Sequence, residues 1–320
     1  MLAGLEEIEF SLSLIVNRTF APMESKRVSS WQVRVEAGEP FAVVRVRDLQ
    51  STIKAGTDAW GREGKTQPVV VSAELSMSEP FEAASLADKV SDDTVHYGLL
   101  AKALLRILDN VNRYEDNLSL ENAMQMIWNA LTGYRISGSE ADGLTEPAFL
   151  KDKLPRIRYL NISLALPKAS LLGSSVSRSY SLAHGFRNGT QVGSVYSSSL
   201  RINELRVPTL IGVNDNERLA RQVVVVSIEI EGYTGRSDNY VEIESFVVKI
   251  LGDSSFETLE ALGPAITTGI RRCYQEQSDI HEPLCNSADW TIKVVMEKPT
   301  AITMAAASCV EYREPPQAKP

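Results

Sequence analysis

Apolar and polar residues alternate with a period of two through "FAVVRVRDLQ" (residues 41–50), and a denser apolar run, "QPVVVSAELSM" (67–77), follows it. Both patterns predict strands. Asp92 and Asp93 then precede a helical pattern near 94–109, and a second helical pattern runs near 118–131. A polar, glycine-containing insertion at roughly 133–155 leads into "RIRYLNISLALPKASLL", which predicts a third strand. Residues 173–199, "GSSVSRSYSLAHGFRNGTQVGSVYSSS", are rich in serine and glycine and read as a linker or a wide excursion. Upstream, residues 1–40 are irregular in pattern; "FSLSLIV" is a strand candidate there, with no function attached to it.

The pattern then restarts. "VRVRDLQSTIKAG" (44–56) aligns without a gap on "LRINELRVPTLIG" (200–212), and "QPVVVSAEL" (67–75) on "QVVVVSIEI" (222–230). The helical pair recurs as "DNYVEIESFVVKI" and "SSFETLEALGPAITTGIRRCY", and "ISLALPKA" (162–169) recurs as "IKVVMEKP" (292–299). "ITMAAASCVEYRE" supplies a final strand. A period above about 100 residues with two copies means duplicated domains rather than a solenoid. The division expected is an extension (1–40), a first domain (41–172), a Ser/Gly-rich linker (173–198) and a second domain (199–314).

Within a copy the order is hairpin, two helices, hairpin. That order predicts an α+β fold in which an antiparallel four-stranded sheet carries two helices on one face. So short a sheet leaves unpaired edges, which closure into a ring or barrel of several copies would remove. A homo-oligomer is therefore expected on physical grounds.

Composition narrows the class. The net charge of -8 disfavours a broad basic surface for nucleic acid or anionic membrane. No apolar run reaches the roughly 18–20 residues of a membrane helix. "MLAGLEEIEF" carries two glutamates where a secretory signal would be positive, so a cytoplasmic protein is expected. Three cysteines, Cys273, Cys285 and Cys309, make an odd set without tight spacing, which argues against a disulfide framework. His281 with Cys273 and Cys285 lacks a fourth ligand, so no metal site is expected.

Superposing the copies leaves a few polar coincidences. Tyr97 falls on Tyr240, each at the start of a first helix; Glu121 in "LSLENA" falls on Glu260 in "ETLEAL"; Lys168 falls on Lys298 near a strand end. The second copy adds Glu217 in "GVNDNERLARQ", where "GTDAWGREGKTQ" of the first has Gly61 or Arg62, with Glu63 slightly displaced. Each residue type also has a bland reading: a helical glutamate is commonly solvated, a strand-end lysine is a common edge device, and a tyrosine opening a helix is commonly half-buried packing.

The stretches "DTVHYG", "IGVNDNERLARQ", "TLEAL" and "EKP" resemble the motifs of the dihydroneopterin aldolase family, across about 40–170 and 199–313. The tandem arrangement, with "DAWGR" in its first copy, is similar to the paired aldolase domains of fungal folate-synthesis proteins. The pterin kinase and pteroate synthase domains that follow there are absent from these 320 residues. The resemblance implies two tandem tunnelling-fold domains, ring assembly with sites at domain junctions, and retro-aldol cleavage of 7,8-dihydroneopterin. No metal, Schiff base or other cofactor is implied, because the pterin's N5=C6 imine accepts the electrons.

By the same resemblance, Glu260 anchors the amino-pyrimidine edge of the pterin, since a carboxylate accepts two N–H bonds. Lys298 is the acid/base group at the side-chain hydroxyl, and Glu217 positions the hydroxyls or a water. A tyrosine from the neighbouring domain serves proton delivery: Tyr97, or Tyr240 where second copies abut. Glu121 and Lys168 are the first copy's substrate-binding counterparts, and His96 reads as a packing or turn residue. Folate-pathway enzymes are candidate partners. A pterin 2'-epimerase and a non-catalytic pterin-binding scaffold are the alternative readings.

Overall fold

The structure, a computed structural model, describes residues 25–113, 117–187, 190–233, 238–278 and 289–317. The "FSLSLIV" stretch lies outside the described residues. The first half contains β2 (Ala42–Ile53), β3 (Gln67–Met77), α2 (Glu82–Ala87), α3 (Tyr97–Asn112), α4 (Leu120–Thr132), β4 (Ile157–Leu166) and β5 (Ser175–Arg187). The second contains β6 (Thr190–Thr209), β7 (Gln222–Glu231), α5 (Tyr240–Asp253), α6 (Leu259–Ser278), β8 (Thr291–Lys298) and β9 (Ser308–Glu314). A short β1 (Lys26–Arg27) and α1 (Ser30–Ala37) precede both.

Two expectations change here. Residues 173–198 are not a linker: they lie in the long hairpin of β5 and β6, paired from Ser175↔Asn203 to Arg187↔Thr190. Its serines alternate with larger residues, so Val176, Arg178, Tyr180 and Leu182 share the helix-side face while the serines share the other. Composition hid a period-two signal. In consequence the halves do not form separate four-stranded sheets; strands β2 to β9 follow one another in a single antiparallel sheet, with β1 parallel to β6. The sheet's edges among the described residues are β2 and β9.

The duplication is visible in backbone detail. A bulge interrupts β2 between Val46 and Leu49 and β6 between Ile202 and Leu205. At the two bulges Asp48 (φ 52°) and Glu204 (φ 53°) adopt left-handed conformations, and their amides donate to the Ser72 and Ser227 hydroxyls, each at 3.0 Å. Gln67 and Gln222 each donate a side-chain N–H to the loop that follows the preceding strand, to Ala55 O and Ile211 O.

Helices α3, α4, α5 and α6 lie on one face of the sheet over a continuous core that includes Trp128 and Trp290. The opposite face also carries a helix, contrary to the expectation of one covered face. Ser29 caps α1, and Val33 and Ala37 pack it onto Tyr159 and Ala183. Part of the N-terminal extension thus belongs to the folded body. Among the described residues no helix is long and apolar enough to cross a membrane.

Candidate active site

The alternation of β8 sends Ile292, Val294, Met296 and Lys298 toward the helix face. Lys298 comes last, where the core ends, so its stem is buried while its ammonium reaches the rim. There Lys298 Nζ donates to Glu217 Oε1 at 2.7 Å. Glu217 sits in a single 3-10 turn, Asp215–Arg218, and its other oxygen accepts from the backbone N–H and the side-chain amide of Asn214. The hydrogen bond from Lys298, with those from Asn214, pulls the Glu217 carboxyl down to about 2. It is an acceptor, held in one place.

Gly212 makes that place available. At φ 145° a side chain would be strained, and a Cβ would stand 2.3 Å from Glu217 Cβ. Arg218 ties the same loop to the approach of α6, donating to the carbonyls of Gly212, Ser255 and Phe256. Glu260 is the second residue of α6 and is exposed; Thr258 Oγ1 accepts from Ala261 N at 3.2 Å and caps the helix. The loop, the strand end and the helix start therefore meet at one rim. Val213 and Leu219 on the loop and Ile302 and Met304 beyond β8 expose apolar side chains.

The counterpart residues of the first half are arranged differently. Asp58 closes the "DAWGR" turn on itself, accepting from the amides of Trp60 and Arg62 and from the Arg62 guanidinium at 2.7 and 2.8 Å. Against the cost of desolvation, those contacts hold the Asp58 carboxyl below its ordinary range. Lys168 is exposed, and its carbonyl accepts from Ala59 N. Glu121 is buried and its carboxylate is taken up within the chain. Arg178 Nε donates to one oxygen, while Tyr180 and Gln125 donate to the other at 2.5 and 2.9 Å. Glu121, expected to bind substrate, is thus engaged within the chain here, and among the described residues Lys168 has no acidic partner of the kind Lys298 has.

The two tyrosines also part company. Tyr97 begins α3 and is 69% exposed, with His96 as the cap whose Nδ1 accepts from Gly98 N. Tyr240 is 1% exposed; its hydroxyl donates to Thr57 O at 2.6 Å and accepts from Thr57 N at 2.5 Å. Burial pushes the Tyr240 hydroxyl's pKa up. Tyr240, expected to serve proton delivery where second copies abut, is thus engaged here as a joint between the halves. Beside it Asp238 accepts from Leu120 N at 2.9 Å, and burial, with Glu63 and Glu242 nearby, pushes its carboxyl up to about 7.

Arg178, Asp238, the Asp58–Arg62 turn and Gly212 were not singled out from sequence as functional. An arginine at an inward position of "SVSRSYSL" was the available signal for the first. Among the described residues no group of three or more His, Cys, Asp and Glu could hold a metal; His281 and Cys285 lie outside them.

The architecture is shared with a solved urate oxidase from Bacillus sp. TB-90, which is 10% identical and is matched over 86% of this chain and 99% of its own, with a TM-score of 0.52. That likeness concerns the fold alone. The sequence is more specific: residues 200–313, which hold Gly212, Glu217, Glu260 and Lys298, match the family model "FolB: Dihydroneopterin aldolase". The folic acid synthesis protein fol1 of Schizosaccharomyces pombe is 24% identical over 279 residues, which is 84% of this chain and 30% of that protein. The chain thus spans less than a third of that relative's length. A solved Escherichia coli dihydroneopterin aldolase in complex with neopterin is 22% identical, covering 36% of this chain and 97% of its own, with a TM-score of 0.28.

Proposed function

We propose that the chain is a dihydroneopterin aldolase, a carbon–carbon lyase of folate biosynthesis, built from two tandem tunnelling-fold halves. The observation that carries this reading is the Lys298–Glu217 pair within the segment that matches the aldolase family model. In the reaction a base removes the proton of the 2'-hydroxyl of 7,8-dihydroneopterin and the C1'–C2' bond breaks. The electron pair enters the N5=C6 imine as an enamine. Glycolaldehyde leaves, and protonation at C1' gives 6-hydroxymethyl-7,8-dihydropterin.

Each residue has a chemical part. Glu260 accepts the paired N–H donors of the amino-pyrimidine. Glu217, an ionised acceptor, orients Lys298 and the side-chain hydroxyls, and Lys298 exchanges the proton. Tyr97 of a second chain delivers the final proton. The support for that last assignment is the internal junction: Tyr240 of the second half reaches the loop after β2 at Thr57, so the equivalent contact for Tyr97 falls on the loop after β6, beside Gly212 and Glu217. Repeating the junction closes the chain into a homo-oligomeric ring.

Incubation of the purified chain with 7,8-dihydroneopterin, with the products resolved by chromatography, tests the proposal. Glycolaldehyde with 6-hydroxymethyl-7,8-dihydropterin is the expected result. Formation of the 2'-epimer instead identifies an epimerase, and binding without product identifies a pterin-binding scaffold.

A further inference from the structure

Arg178 is the most completely buried charge near the junction of the halves, at 1% exposure. Its guanidinium donates from Nε to Glu121 and from Nη2 to Ser198 Oγ at 2.7 Å and to Tyr233 O at 2.5 Å. It lies 5.7 Å from the Tyr180 ring centre and 5.1 Å from that of Tyr233. Nη1 is buried with no partner among the described residues. A planar, multiply donating group thus stands between a carboxylate and two aromatic rings, which is how a planar nitrogen heterocycle would be held.

The repeat identifies the matching place in the second half. Glu121 and Glu260 are each the second residue of their helix, two residues after a capping hydroxyl: Ser119 accepts from Asn122 N, and Thr258 from Ala261 N. On the sheet Arg178 pairs with Leu164, and Leu164 aligns on Val294, whose partner on β9 is Tyr312. Tyr312 lies against α6 at Gly263, its fifth residue, with its Cβ 2.8 Å from where a Cβ on Gly263 would be. The second half has a tyrosine where the first has a guanidinium, and Glu260 is exposed where Glu121 is buried.

We infer that Arg178 is a built-in ligand: it fills the first half's counterpart of the Glu260 site and turns it into a permanent joint between the halves. Each chain then keeps one carboxylate of this kind for an external ligand, Glu260, and the ligand class is a planar group with adjacent N–H donors, such as a guanidinium or a 2-amino-4-oxopyrimidine. The inference deepens the function proposed above and rests on it in taking Glu260 as the anchor. The closed turn of Asp58 and Arg62, and the exposed Lys168, which has no acidic partner among the described residues, agree with a first half that has no turnover of its own.

Removal of the guanidinium tests it directly. Arg178→Ala leaves Glu121 buried beside a cavity of guanidinium shape. Millimolar methylguanidinium chloride is expected to raise the melting temperature of this variant by several degrees and leave that of the native chain unchanged, while methylammonium chloride shifts neither protein. Equal response to both cations, or to neither, overturns the inference. Should Arg178→Ala fail to fold, calorimetric titration of the native chain with neopterin decides instead: one equivalent per chain is expected, and two equivalents overturn it. Rescue by methylguanidinium in a chain that does not cleave dihydroneopterin would separate the failure of the aldolase reading from this inference.

Discussion

At the scale of single residues the two halves make opposite use of matching positions. Lys298 faces an ionised partner at 2.7 Å, whereas Lys168 is exposed. Lys298→Ala is therefore expected to lower kcat by about 10²–10⁴-fold, the usual contribution of a general acid–base group. Lys168→Ala should stay within a few-fold of the native rate, and equal losses in steady-state assays would contradict the division of labour. Gly212 carries a related expectation. A methyl group at φ 145° meets Glu217, so Gly212→Ala should cost about 1–3 kcal/mol of stability and lower turnover through the misplaced carboxylate. Urea denaturation together with kcat checks both parts.

At the scale of elements, the contacts between α5, α4 and the loop after β2 carry a titratable group under stress. The Asp238 carboxyl is raised from an ordinary 3.8 to about 7 by burial, against the Leu120 amide that it accepts from. A raised acid favours the folded state below its unfolded pKa and loses that contribution as pH climbs through the folded value. Stability should thus fall between about pH 4 and pH 7 on account of this group. Asp238→Asn keeps the acceptor for Leu120 and removes the charge, so its melting temperature should exceed the native one at pH 8 and the excess should shrink toward pH 4. A difference independent of pH would refute the assignment. Glu217 has the opposite sign: its depression from 4.5 to about 2 gives stability present above the ordinary value and lost as pH falls.

At the scale of the whole molecule, the sheet is continuous through the chain yet ends at two edges, β2 and β9. Unpaired edges recruit partners, and the exposed Tyr97 at one end faces the same need as the exposed loop of Val213 and Leu219 at the other. Light scattering at micromolar concentration should find a closed assembly of at least two chains; a fully active monomer would exclude it. If the site spans chains, Tyr97→Phe and Lys298→Ala proteins, each of low activity alone, should recover part of the rate after subunit exchange. Tyr240→Phe should act on stability, through loss of a buried hydrogen bond worth about 0.5–1.5 kcal/mol. Full activity of both tyrosine variants would remove tyrosine from the chemistry.

Much of this was legible in the sequence, because hydrophobic periodicity records which face of an element is buried. It located β2, β3, β7, β8 and the four large helices to within a few residues, while β5 and the first part of β6 fell in the stretch read as a linker, and the internal repeat aligned Glu121 with Glu260 and Lys168 with Lys298. The same alignment sets Glu217 opposite Gly61 and Arg62. Other features depended on distance between groups far apart in the chain. Serine and glycine content suggested a linker at 173–198, but ladder pairing across the hairpin makes it the centre of the sheet. Tyr97 and Tyr240 are equal in the alignment, yet one is exposed and the other bound to Thr57, 183 residues away. Glu121 and Glu260 are likewise equal by alignment, and they differ because Arg178, 57 residues from Glu121, folds back onto only one of them. Local pattern determines which elements form and which way they face; only the packing of those elements decides which polar groups are satisfied from within and which remain for a ligand.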